Sequence, residues 1–403
     1  MKKGVMGFAA LSAIAGGVQA QDSSVQIYGI VDAGLIYTSK VAAPVTGNLR
    51  NTGSKFALEN GLLQSSRIGF RGKEDLGGGL YAEFGLENGF SVDNGAALQN
   101  GAVFGRRSIV GLSGSSFGVL HLGRRKDFTD EIAAQYSSIT PFSGLITAVH
   151  ANNLDRIGGN RANNMIYYST PTFSGFRANI SYGFGEAAGS TSTGQSLGLG
   201  ANYDVGPFSI GLGYWRSKLG TATVPSSDQG ATSGAGCAVT AGNGGDTCMK
   251  MWILGSAYKL GSVTFRGTFS KVDQPLLKTS SGTAANFNTT FTATAGTSAF
   301  TAGGVNNDQA KIIDVGIDFA VAPQILLTGS VLQSRYNFVG ASQKGKLTEF
   351  IAGIQYFLSK RTTLYSTIGT LSASNMYNPG ISGGAPGADS RSSIVAAGMR
   401  HTF

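Results

Sequence analysis

Residues 176–184 read Phe-Arg-Ala-Asn-Ile-Ser-Tyr-Gly-Phe, so that Phe176, Ala178, Ile180, Tyr182 and Phe184 alternate with Arg177, Asn179, Ser181 and Gly183. A period of two is that of a β-strand with one apolar and one polar face. The pattern returns along the chain. Val263, Phe265, Gly267 and Phe269 alternate with Ser262, Thr264, Arg266 and Thr268, and Ile313, Val315, Ile317 and Phe319 alternate with Asp314, Gly316 and Asp318. Soluble sandwiches alternate in the same way. Many runs here are longer, at ten residues or more, which matches the roughly 9–11 residues that a tilted transmembrane strand requires.

The composition agrees. Only 13% of the 403 residues are charged, against roughly 25% in soluble domains. There are 61 glycines, 9 prolines and 10% aromatics, and the mean hydropathy is close to zero. The chain is too poor in charge for a typical soluble enzyme and too polar for helical membrane spans. A barrel with one face on lipid and the other on water satisfies both conditions. The net charge of +9 does not point to nucleic acid, because the basic residues are dispersed along the chain.

Residues 1–20 stand apart. Lys2 and Lys3 precede an apolar run from Gly4 to Val18, broken only by Ser12, and Val18-Gln-Ala20 ends it with small residues at the positions a signal peptidase reads. The run is short of the roughly 20 residues a membrane helix needs. The expectation is a cleaved secretory signal over 1–20 and a β-barrel over 21–403. Export places Cys237 and Cys248, which share one Gly/Ser/Thr-rich loop, in an oxidising compartment where a disulfide is the natural reading. Such a ring constrains an open loop by about 3 kcal/mol in the chain-entropy model. A metal site there would lack further Cys or His ligands nearby.

The connections also alternate, between short and long. Short ones fall at 74–79, 113–117, 170–175, 204–207, 259–262, 320–324 and 358–361, and carry the Gly, Pro, Asp and Ser of tight turns. Long ones fall near 38–64, 91–102, 127–162, 185–195, 218–249, 274–309, 337–346 and 373–390. Seven short and eight long connections imply sixteen antiparallel strands in an up-and-down transmembrane β-barrel, with both termini on the periplasmic side. The last strand stays amphipathic to its end. Val395, Ala397, Met399, His401 and Phe403 share one face, while Arg400 and Thr402 point the other way. An open apolar edge is an aggregation hazard, so this reads as a strand that closes the barrel.

Several segments resemble the trimeric general porins of Gram-negative bacteria, in their β-proteobacterial branch. Residues 25–34 (Val-Gln-Ile-Tyr-Gly-Ile-Val-Asp-Ala-Gly) look like that family's first strand. The most specific match is 66–80 (Ser-Arg-Ile-Gly-Phe-Arg-Gly-Lys-Glu-Asp-Leu-Gly-Gly-Gly-Leu), which resembles its second strand and first periplasmic turn. Residues 117–124, 161–168, 358–365 and the terminal 398–403 complete the set. The resemblance implies a homotrimer, a third loop folded into the lumen, a second loop (about 91–101) reaching toward a neighbouring subunit, and a terminal Phe403 read by the barrel-assembly machinery. It implies a water-filled channel of the outer membrane, surrounded by lipid and lipopolysaccharide, that passes small hydrophilic solutes and ions. A substrate-specific uptake channel and a structural or adhesive barrel are the rival readings.

A pore discriminates at its narrowest section, through diameter and lining charge. The long connection at 127–162 is the candidate, since structureless loops of that length are usually functional. Parity puts Arg67, Arg71 and Lys73 on the lumen face, with Ile68 and Phe70 outward. It pairs Glu83 with Glu87 on one face, and puts His121 and Arg125 in the lumen. By resemblance, a basic ladder falls on Arg67, Arg106 and Arg161, with Glu87 as counterweight. Alternation cannot decide between Arg106 and Arg107. The loop carries Asp127, Asp130, Glu131 and Asp155, which would face the arginines and set up a transverse field. With Arg177, Arg266 and Arg400 against Asp32, Asp314 and Asp318, the lumen leans basic, and the expectation is a mild anion preference.

Catalysis is not expected. The only histidines are His121, His150 and His401; Asp155 is near His150 in sequence, but no Gly-x-Ser-x-Gly motif brackets it. Gly198-Leu-Gly-Ala201 and Gly77-Gly-Gly79 lack the lysine and helix of a phosphate-binding loop. No cofactor is implied, and no spacing establishes a divalent-cation site.

Overall fold

The structure is a computed structural model. It describes residues 24–41, 53–99, 101–138, 142, 150, 161–186, 188–189, 194–217, 249–273, 307–338, 344–376, 378, 380–381 and 389–403. The 1–20 segment, Asp155, Cys237 and Cys248 lie outside the described residues, as does the side chain of Asp130.

The first half of the chain holds β1 (Ser24–Val41), β2 (Gly53–Asn60), β3 (Arg67–Gly77), β4 (Leu80–Gly89), β5 (Arg107–Gly114), β6 (Gly118–Lys126), α1 (Phe128–Tyr136), β7 (Arg161–Ser169), β8 (Phe176–Gly183) and β9 (Ser196–Val205). The second half holds β10 (Phe208–Ser217), β11 (Met249–Leu260), β12 (Val263–Asp273), β13 (Asn307–Ala322), β14 (Ile325–Phe338), β15 (Lys344–Phe357), β16 (Thr362–Ser374) and β17 (Arg391–Thr402). All strands join one antiparallel sheet. β1 closes it against β17, with Ile30 opposite Thr402 and Thr38 opposite Ile394.

Seventeen segments make sixteen staves. β1 pairs with β3 from Ser24 to Ile30 and with β2 from Ala33 to Val41. β2 and β3 are therefore two halves of one stave, interrupted at residues 61–66. This corrects the expectation of a loop over the whole of 38–64. Phe56 and Leu58 face outward, 70% and 53% exposed, so the alternation was present. It spans only eight residues and stops at Gly61, where the chain turns inward. Leu62 and Leu63 are buried there.

Asp32 of β1 holds the interruption. Its carboxylate accepts hydrogen bonds from the Leu63 N–H at 3.1 Å, the Gln64 N–H at 2.6 Å and the Tyr365 hydroxyl at 2.6 Å. Its carbonyl accepts from the Gly61 N–H at 2.8 Å, and its own N–H donates to Ser66 Oγ at 3.0 Å. A fully buried carboxylate is expensive unless it is hydrogen-bonded, and here both oxygens accept.

The seven short connections fall where expected. The one that joins β3 to β4 has Gly77, Gly78 and Gly79 at φ of +85°, +62° and +77°. An L side chain would be strained there. At the seam, the ring of the terminal Phe403 occupies the space that a side chain on Gly29 would need. The two residues exchange backbone hydrogen bonds of 3.0 and 3.1 Å.

Leu212, Leu254, Phe265, Val315, Phe350 and Ile368 lie on the outward face and are between 43% and 57% exposed. A monomer in water rarely shows an apolar patch above a few hundred Å², so a band of this extent belongs against lipid. The opposite face buries Asp32, Thr268, Asp314, Asp318, Thr328 and Thr367. Among the described residues no helix is long and apolar enough to cross a membrane.

The connection after β6 is not structureless at its start. Asp127 caps α1, its Oδ1 accepting the Thr129 N–H at 2.8 Å. Phe128, Ile132 and Tyr136 recur every four residues and make one apolar stripe, all buried. The stripe meets glycines on the polar face of the sheet. Phe128 fills the space over Gly200, Ile132 lies over Gly213, and Tyr136 covers Gly211 and Gly255. Further on, Ser138 covers Gly316 and Phe142 covers Gly353. Any Cβ at these glycines would collide with the segment. They form a trough across β9, β10, β11, β13 and β15. Hydrogen bonds fix its course. Arg266 Nη1 donates to the Gln135 carbonyl at 2.5 Å, and Asp314 accepts from Ser137 Oγ at 2.5 Å and the Ser138 N–H at 2.8 Å.

Filling the trough should displace the segment without opening the sheet. Gly353→Leu should leave the strand content by circular dichroism unchanged. It should lower heat stability by the about 1–3 kcal/mol typical of overpacking, and alter single-channel conductance.

Candidate functional site

The site is built on β3 to β7. β4 places Glu87 in register with Gly69 of β3 and Arg107 of β5. Its carboxylate is the hub. Oε1 accepts Arg106 Nε at 2.6 Å, and Oε2 accepts the Tyr28 hydroxyl at 3.1 Å and lies 3.7 Å from Arg67 Nε. Arg161, the first residue of β7, is buried and donates from Nε to the Arg106 carbonyl at 2.8 Å.

The choice between Arg106 and Arg107 dissolves, since both face the same side. Arg107 does so by register, as the partner of Glu87. Arg106 precedes the strand and is released from alternation. Its N–H bonds the Glu87 carbonyl at 3.1 Å and its side chain turns back onto the same glutamate.

On β6, Arg125 lies with its guanidinium carbon 3.5 Å from the Tyr167 ring centroid, close enough for a cation–π contact. It also meets Nδ1 of His121, whose Nε2 meets Glu83. With an arginine donating to Nδ1, the neutral ring carries its proton on Nε2 and gives it to Glu83. Arg125 Nη2 reaches Glu131 of α1 at 3.1 Å, and Arg177 Nη2 of β8 reaches the same carboxylate at 3.2 Å. The Tyr167 hydroxyl adds a bond to Glu131 at 2.7 Å. Glu131 is thus shared by two arginines and a tyrosine, which ties α1 to the wall by charge-assisted bonds.

Between these groups is a cavity of about 320 Å³. Arg67, Arg106, Arg107, Arg125, Lys126 and Arg161 line it, with Glu87, Asp127, Glu131 and Gln64. Six cations thus face three carboxylates. Asp127 is also the cap of α1, and Glu87 and Glu131 are each shared between arginines.

Most of the sequence-derived candidates come together here. Arg71 does not. It lies further along β3, bonded from Nε to Gln26 Oε1 at 3.0 Å and 5.1 Å from the Tyr28 ring. Gln64 and Lys126 were not anticipated. Gln64 was hidden because it falls at the end of the long connection read at 38–64. Lys126 sits at the strand-to-helix junction, where parity ends. Arg177 and Arg266, expected only as lumen charges, prove to be anchors of α1. His150 is buried with Nε2 3.7 Å from Asp314 Oδ2. Among the described residues no cluster could hold a metal ion.

Comparison with known proteins fixes the family. Residues 7–375 match the sequence profile of the Gram-negative porins. The chain belongs to this family. An outer membrane porin protein of Bordetella pertussis is 30% identical over 420 residues, covering all of both chains. Outer membrane porin protein 32 of Delftia acidovorans is 35% identical over 65% of this chain and 77% of its own. Among solved structures, the anion-selective porin from Comamonas acidovorans superposes with a TM-score of 0.69 at 27% identity, covering 95% of this chain and 100% of that one. The porin is thus a β-barrel of the outer membrane, and its basic cavity sits on the wall of a channel.

Glu131→Gln would remove the charge that Arg125 and Arg177 share while keeping the size of the side chain. The anion-to-cation permeability ratio, read from the reversal potential in a salt gradient, should rise.

Proposed function

We propose that the porin is a passive, water-filled channel for small hydrophilic solutes and ions, with a mild preference for anions and no catalytic activity. The observation that carries this reading is the cavity in which six cations face three carboxylates. Selectivity in a wide pore follows the sign of the lining charge at its narrowest section, and low-dielectric walls focus that field.

The section is narrow because α1 and the described residues after it, Ser137, Ser138 and Phe142, fold into the lumen. Four things support this: the glycine trough, the buried apolar stripe of α1, the Arg266 and Asp314 anchors, and the bonds from Glu131 to the wall. The constriction comprises Arg67, Arg106, Arg107, Arg125 and Arg161 with Glu87, Asp127 and Glu131. Arg71 lies outside it. The anion selectivity named for the Comamonas acidovorans relative agrees with this sign. Residues 1–20 are the export signal of the precursor, and the mature porin is a homotrimer in lipid and lipopolysaccharide. Phe403 is its assembly signal, and Cys237 and Cys248 form a disulfide.

Purified porin in a planar bilayer under a tenfold salt gradient should give a reversal potential of anion-selective sign. A cation-selective sign overturns the preference, and absence of conductance overturns the channel. Arg67→Gln or Arg161→Gln should move the potential toward cations, and Arg71→Gln should move it less. Concentration-dependent, saturable block by a single solute would identify a substrate-specific channel instead.

A further inference from the structure

We propose that Asp32, with Tyr365 behind it, is a positioning residue for ion selectivity. It holds the inward turn at 61–66 and so sets where Gln64 and Arg67 stand in the basic cavity. The proposal rests on reading that cavity as the selectivity zone.

The turn is wrapped around one residue. Asp32 bonds the turn at its start (Gly61), its middle (Leu63 and Gln64) and its end (Ser66), through both main chain and carboxylate. Arg67 follows directly on Ser66, and Gln64 and Arg67 both line the cavity. Arg400, the register partner of Asp32 on β17, adds a long bond from Nη1 to Gln64 Oε1 at 3.4 Å. The interruption breaks a stave that would otherwise continue from β2 into β3. Residues 61–66 do not get their place from a strand ladder, so Asp32 supplies it, and with it the point at which Arg67 enters β3 opposite Ile30 and Gly89.

Tyr365 orients the carboxylate. Its hydroxyl donates 2.6 Å to Asp32 Oδ1, leaving Oδ2 for the two N–H groups of the turn. Room for this is made by glycines. A side chain at Gly398 would strike the Tyr365 ring, and one at Gly34 would strike both the Tyr365 hydroxyl and Leu62. The β1 carboxylate thus joins the turn to Tyr365 of β16, and its bonds include none of the cavity arginines. A charge placed only to tune the pore would be aimed into the pore. This one is fully buried and aimed at the backbone of the turn.

Opposite signs separate positioning from simple electrostatics. Asp32→Asn removes a negative charge from a basic lumen, which by itself raises anion preference. Loss of the turn displaces Arg67 and Gln64, which lowers it. Tyr365→Phe changes no charge and removes only the hydrogen bond. Reversal potentials are measured for wild type, Asp32→Asn, Tyr365→Phe, and Tyr365→Phe combined with Arg67→Gln. Expected is a fall in the anion-to-cation permeability ratio of about twofold or more for each single variant, with little further effect of Tyr365→Phe once Arg67 is replaced. A rise in the ratio for Asp32→Asn overturns the proposal. So does an unchanged ratio for Tyr365→Phe, even if heat stability falls, because that is a purely structural role. If Asp32→Asn does not fold, Tyr365→Phe decides alone. The wild-type potential tests the anion preference itself, whereas the shift between variant and wild type tests the positioning.

Discussion

Lipid offers no hydrogen bonds. Every backbone N–H and C=O within the hydrocarbon layer must therefore find a partner in the protein, and each one left unpaired costs several kcal/mol. For spans made of strands the solution is a sheet with no edge. The pairing of β1 with β17 provides it, and much else follows. Closure forces each strand to present one face to lipid and one to the interior, hence the period of two. It forces the connections to alternate between the two rims. It also creates an enclosed wall that can be lined with charge.

The interior is where this barrel departs from a plain cylinder. Two departures use small residues to admit something bulky. Along β9 to β15, inward glycines leave a trough that α1 and the residues after it occupy. Near the seam, Gly34 and Gly398 leave room for Leu62 and the Tyr365 hydroxyl beneath the turn at 61–66. Buried carboxylates then fix the inserted backbone, Asp314 in the first case and Asp32 in the second. Between the two insertions stands the arginine-bearing wall of β3 to β7. Apolar contacts and buried carboxylates thus shape the lumen, and the arginines give it its sign.

The barrel was legible in the sequence because its signals are periodic and repeated. Alternation such as that of 176–184 and the seven short turns required no long-range information. The second stave was half missed because β2 has only eight residues and ends at an inward turn. Leu62 and Leu63 fall inside the long connection read at 38–64, yet they are buried. α1 was missed for a related reason. Its stripe of Phe128, Ile132 and Tyr136, behind the cap at Asp127, is a helical signature, but nine residues carry little weight inside a long connection. Parity placed Arg67, Glu87, His121 and Arg125 correctly on the inner face. It failed at Arg106 and Lys126, just outside strands, where side-chain direction is set by local contacts. Arg71 shared the right face at the wrong height, since a period of two fixes which side a residue faces and says nothing of depth.

The ring of Phe403 over Gly29 joins the last residue of the chain to the first strand. Until β17 pairs with β1, two rows of backbone groups stay unpaired. The sheet therefore cannot mature stave by stave in the bilayer, each step stable in its own right. The pairing of β17 with β1 is what removes the edges. A chain cut short by one strand would be a membrane protein with nowhere to put its edges.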